Sequence, residues 1–239
     1  MNNINLFWAR ESTPSLGVLS SLLKNDVSTS LGCVKFNNLN KKASTTYYKS
    51  LPNYEKLEND INLELGSLFI SNHRYESLQE NDIIDQICQP LVNQEYGLIL
   101  SGTGEISNKN IEYLKTRFIF KTDVNNEAII WEYINQGKNI EDTVKALNGE
   151  FSCIMLDVVK NKLYLICKGD KSLYYGYVKG YGLIVSSIRD SVYNCVSTIK
   201  NADIFNSVSN IWEDYYCSFI DGDTMEIDLD SGSIIDYHG

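Results

Sequence analysis

The 239-residue sequence predicts an α+β fold in which helices pack on antiparallel sheet. Two observations lead there. Apolar runs with strand character lie in both halves of the chain, with helical periodicity between them, and the second half reads as a succession of hairpins. Strands and helices do not alternate in the regular βαβ order of a doubly wound parallel sheet. The length suits one globular domain spanning residues 1–239.

Taken in order, residues 4–9 carry Ile, Leu, Phe and Trp in a loose alternation, which predicts a buried strand. Ser12-Thr-Pro14, followed by Leu16, Val18, Leu19, Leu22 and Leu23, predicts a capped helix with Pro in its first turn. Residues 32–36 follow as a second strand, and the polar, Asn/Lys-rich stretch 37–45 reads as a mobile loop. A helix is expected over 54–65 and a strand over 67–71. The strand at 97–100 is expected to run into a turn at Ser101-Gly-Thr-Gly104, where two glycines supply backbone freedom. Helices are expected at 110–117, 127–136 and 140–147. Strands at 151–159, 162–168, 172–178 and 182–186 then form an antiparallel meander turning at Lys160-Asn161, Gly169-Asp-Lys-Ser172 and Lys179-Gly180. Strands at 226–229 and 234–237 close the chain as a hairpin around Asp230-Ser-Gly232.

The formal net charge of −10 repels a phosphate backbone, so nucleic acid is not an expected partner. No apolar run approaches the roughly 20 residues of a membrane-spanning helix, and the first residues lack the basic and apolar regions of a secretory signal; a cytoplasmic, membrane-free protein is expected. The six cysteines show no metal-ligand spacing and read as reduced core residues. With only His73 and His238, no metal site is expected. Nor is a cofactor: Ser107 stands where a dinucleotide-binding loop needs its third glycine, and Gly169-Asp-Lys-Ser172 lacks the upstream glycine of a phosphate loop. The aspartates between 221 and 230 have the wrong spacing for a calcium loop and alternate as a solvated strand face does.

Five segments stand in a common order: Asn72-His-Arg-Tyr75, Cys88-Gln-Pro90, Gly102-Thr-Gly-Glu-Ile-Ser-Asn108, Asn125-Asn-Glu127 and Leu147-Asn-Gly-Glu-Phe151. In this order they resemble the class II glutamine amidotransferase domain, and the likeness extends over residues 4–237. It implies a four-layer αββα sandwich of the N-terminal-nucleophile hydrolase type and release of ammonia from glutamine. On this resemblance Arg74 matches the arginine that clamps the glutamine carboxylate, a task suited to a planar two-pronged guanidinium. Thr103 and Gly104 match the Asn-Gly pair that stabilises the oxyanion, with a shorter hydroxyl donor replacing the amide. Asn125 matches the aspartate that holds the substrate amine, and Asp123 lies close enough to substitute in part.

The family's chemistry uses a cysteine at the head of the first strand, whose α-amine serves as base. Here that strand is preceded by Met-Asn-Asn, and Cys33 falls in the second strand. The resemblance therefore implies a domain with no catalytic residue, retained as a binding or scaffolding module. A protein partner and a pocket for an amino acid or other carboxylate are expected. Two alternatives stand beside it: an active amidotransferase with a non-standard nucleophile, and a structural component of a viral or other large assembly.

Overall fold

The structure, a computed structural model, describes residues 3–10, 16–23, 30–48, 56, 63–74, 88–178, 181–201, 217–218 and 224–237. The expected helix caps at Ser12, most of the expected helix at 54–65, the turn at Lys179-Gly180 and the acidic residues 221–223 lie outside these.

Two antiparallel sheets face each other. The first is built from β1 (Asn3–Ala9), β2 (Ser30–Asn37), β3 (Lys42–Tyr48), β4 (Ser67–Arg74), β9 (Tyr174–Val178), β10 (Gly182–Ser186) and β11 (Cys217–Ser218), in the order β11-β9-β10-β1-β4-β2-β3. The second contains β5 (Leu91–Asn93), β6 (Leu98–Ile106), β7 (Gly149–Asp157), β8 (Lys162–Lys168), β12 (Thr224–Asp228) and β13 (Ile234–Tyr237), in the order β13-β12-β8-β7-β6-β5. Alternation explains the packing: Ile4, Leu6 and Trp8 of β1 face Ile154, Leu156 and Leu165 of the other sheet, while Phe7 and Ala9 face outward.

Helices cover both outer faces. On the first sheet lie α1 (Leu16–Leu23) and α5 (Arg189–Asn201); the latter buries Val192, Cys195, Val196 and Ile199, one stripe of a 3.6-residue repeat. On the second lie α2 (Asn108–Lys115), α3 (Glu127–Asn135) and α4 (Ile140–Ala146), packed around Leu100, Phe151, Cys153 and Ile166. The result is the αββα sandwich. Among the described residues no helix is long and apolar enough to cross a membrane.

Four local expectations change. The polar stretch after β2 is not a loop throughout: Asn37 Oδ1 accepts from the N–H groups of Leu39 (2.9 Å) and Asn40 (3.2 Å), making a tight turn, and β3 begins at Lys42. β3 is an edge strand whose first residues are exposed, so its sequence has no apolar alternation to read. Gly102-Thr-Gly104 is not a turn but part of β6. The expected meander is divided, because β7 and β8 pair in one sheet while β9 and β10 pair in the other. The connection at 169–173 crosses between the sheets rather than turning within one, and the fully buried Leu173 fills the space between them. Finally, α5 and β5 were not expected from the sequence.

Candidate active site at the 101–104 edge of β6

Three segments meet at residues 101–104. From β4, Asn72 Nδ2 donates to the Gly102 carbonyl (3.1 Å) and to Ser101 Oγ (3.3 Å), and Ser101 Oγ donates to the Ser71 carbonyl (3.2 Å). These bonds stitch the two sheets together through buried polar groups. β1 runs alongside, with Asn3 opposite His73 and Ile4 opposite Asn72, so the head of the first strand lies beside this junction. Arg74 ends β4 opposite Ser30, two residues beyond Asn72.

The second segment leads into β5. Gln89 Oε1 accepts from the Gly102 N–H at 2.7 Å, and the Tyr47 hydroxyl of β3 donates to the Pro90 carbonyl at 3.0 Å. A Cβ on Gly32 would stand 1.8 Å from the Gln89 carbonyl oxygen, so β2 admits this segment only because residue 32 is glycine. β5 pairs with β6 as far as Leu91 opposite Leu100 and then stops. The Gly102 N–H, bonded to Gln89, points to that open side. Gly104, two residues further along β6, has a φ of +97°, outside the range of an ordinary strand residue. Thr103 between them is 5% exposed and pairs with Ser152 of β7.

The third segment is the loop before α3. Glu127 folds it: Oε1 accepts from Lys121 N–H (2.9 Å) and Trp131 Nε1 (3.0 Å), and Oε2 from Thr122 N–H (2.8 Å) and Oγ1 (2.7 Å). Asp123 and Asn125 are exposed on this loop. The loop residue that reaches β6 is Asn126, buried against Gly102, where a Cβ would stand 2.9 Å from its Nδ2. An open groove of about 610 Å³ runs beside the loop, between edge strands β3 and β5, lined by Thr45, Tyr47, Asn93, Lys121, Thr122 and Glu127.

Thus the structure places Thr103 and Gly104 on the edge itself, Arg74 at the end of the adjoining β4, and Asp123 and Asn125 on an exposed loop at its side. Asn72, Gln89, Asn126 and Glu127 were not singled out from the sequence. Each lies inside a quoted motif, and that adjacency was the available signal.

Cys33, Cys88, Cys153, Cys167 and Cys195 are buried. Burial pushes the thiols of Cys33, Cys153 and Cys195 well above their ordinary range, so they stay protonated. Among the described residues no cluster of His, Cys, Asp and Glu could hold a metal ion.

Residues 76–194 match the family of glutamine amidotransferase domains. The chain carries a glutamine amidotransferase domain. This amidotransferase domain superposes on glutamine phosphoribosylpyrophosphate amidotransferase from B. subtilis, complexed with ADP and GMP, with a TM-score of 0.69 at 17% identity. The match covers 100% of this chain and 49% of that one. A structure described as the allosteric regulatory enzyme of purine biosynthesis gives 0.72 at 16% identity, again covering 100% and 49%. One described as a "predicted glutamine amidotransferase from Pseudomonas aeruginosa" gives 0.50 at 7% identity, covering 98% and 94%. At these identities the likeness establishes the fold. The chain spans about half the length of the first two structures. No curated protein matches it.

Proposed function

We propose that this amidotransferase domain binds an amino acid or related carboxylate beside the 101–104 edge without hydrolysing it, and serves a protein partner as a binding or scaffolding module. The supporting observation is the chemistry at the head of β1. Beside Asn72 the strand offers Asn3, Ile4 and Asn5, none of them a nucleophile, and burial keeps the thiols of Cys33, Cys153 and Cys195 protonated. Arg74 is assigned the ligand carboxylate. The Thr103 hydroxyl and the Gly104 N–H are assigned a carbonyl oxygen; the hydroxyl is a shorter arm than an asparagine amide, which favours holding a ligand over stabilising an oxyanion.

The test is glutamate release from L-glutamine, run beside calorimetric titration with the same amino acid. Binding without turnover above buffer is expected, and Arg74→Ala should abolish that binding while circular dichroism stays unchanged. Sustained glutamate release would overturn the proposal. Loss of that release in Cys88→Ala would then place the nucleophile next to Gln89, the residue already bonded to Gly102.

A further inference from the structure

β3 is an edge strand with little of the protection that edges carry. Its pairing with β2 runs from Leu31 opposite Tyr48 to Asn37 opposite Lys42 with no bulge, and among the described residues no strand lies beyond it in the sheet. Lys42 stands at its start, but Ala43-Ser-Thr-Thr46 has neither charge nor proline, the devices that keep a further strand from adding. The outward N–H and C=O groups of such an edge are a template for another strand.

The same edge borders the groove of about 610 Å³. Val34 and Phe36 of β2 lie in the core between the sheets, and opposite them Thr45 and Ala43 project to the same face. These two side chains are small, so the space beyond them stays open. The facing wall of the groove is apolar at Leu91, Val92 and Ile130, and Val92 is 36% exposed. The lining carries one cation, Lys121, exposed and with no partner for its ammonium among the described residues. Its one acid, Glu127, already accepts from four donors.

We infer that this groove docks an extended, acidic segment of a protein partner, which adds to β3 as a further strand. The inference rests on the reading of the domain as a module for a protein partner, and it gives that partner its surface. Alternate residues of the added strand face the second sheet, about 10 Å away, where apolar side chains cover Leu91, Val92 and Ile130. A carboxylate of the segment meets Lys121. A second copy of this chain does not fit, because its β3 would bring Ala43 and Thr45, too small to fill the groove, and Lys42 in place of an acid.

The experiment titrates a fluorescein-labelled peptide of alternating valine and glutamate, about eight residues long, into the whole chain and into Ser44→Pro, Thr45→Pro and Lys121→Gln. A fully N-methylated copy of the peptide is the control. Neighbouring strand residues point their N–H groups to opposite edges, so one of the two proline variants removes only an outward donor, and a thermal melt matching wild type identifies it. Saturable binding to the wild type is expected, weakened about tenfold in that proline variant and about fivefold in Lys121→Gln, with none for the N-methylated peptide. Unchanged affinity in either variant would overturn the inference, as would equal binding of the N-methylated peptide or no saturation by about 1 mM. A dimer of the whole chain that the proline variant makes monomeric, read by light scattering, would overturn it in favour of a second copy. Each of these failures would leave the scaffolding reading standing, because that reading falls to glutamate release from L-glutamine, which the titration does not measure.

Discussion

Gly104 and Gly137 offer a matched pair for measuring how tightly the site edge is built. Both have positive φ, +97° and +63°, so alanine at either position meets the left-handed backbone penalty of about 1–2 kcal/mol. Their surroundings differ completely. A Cβ on Gly137 would have nothing within 4 Å, whereas on Gly104 it would stand 2.1 Å from the Glu150 carbonyl oxygen and 2.7 Å from Phe151 Cα. Those are backbone atoms in the paired strand β7, which cannot rotate away as a side-chain tip does. Forcing a methyl into such a contact adds about 1–3 kcal/mol, so Gly104→Ala should cost about 2–5 kcal/mol in all, against about 1–2 for Gly137→Ala. For a domain with a total stability of about 5–15 kcal/mol, that is a large fraction. Urea denaturation of the two variants, read as a shift of midpoint at constant slope, measures the difference. Equal losses would refute the reasoning and mean that β6 and β7 separate easily at the site.

Glu127→Ala removes an acceptor shared by four donors, of which Trp131 Nε1 is the most deeply buried, and should cost about 2–4 kcal/mol; a urea midpoint within error of wild type would contradict the role assigned to it. The thiols of Cys33, Cys153 and Cys195 should resist iodoacetamide in the native protein through pH 8–9, the range in which an ordinary thiol ionises. A raised pKa keeps the nucleophilic form scarce until the pH climbs past it, and peptide mapping of alkylated residues checks each site. Modification at the rate of a free thiol would show that these strands open readily.

The elements most readily read from the sequence were those whose side chains face a covered surface. β1 and β8 carry near-continuous apolar runs because both of their faces are buried, and α3 buries residues on most of its circumference. β3 was missed for the opposite reason, since an exposed edge strand is polar and locally resembles a loop. α5 is a different case: its Val192-Cys195-Val196-Ile199 stripe has the spacing of a helix and is legible in the sequence. The division of the hairpin series between two sheets is not a local property at all, because pairing within a sheet and crossing between sheets need similar short, polar connections. At the site, residue types indicated Thr103 and Gly104, but not that Asn126 would be the loop residue buried against Gly102. Two adjacent asparagines are chemically alike, and only the start of α3 decides which one turns inward.

The passage of the chain between the sheets also governs how the protein must be assembled. Strands of the first sheet come from residues 3–74, 174–186 and 217–218, while the second takes its strands from 91–168 and 224–237. Asn5 and Ser186, hydrogen-bonded neighbours at the centre of one sheet, are 181 residues apart along the chain. Neither sheet is a contiguous folding unit, and contacts this remote favour slow, concerted folding. The segment 76–194 that carries the family likeness lacks β1, β2 and β4. Expressed alone, it would expose the inner face of the second sheet.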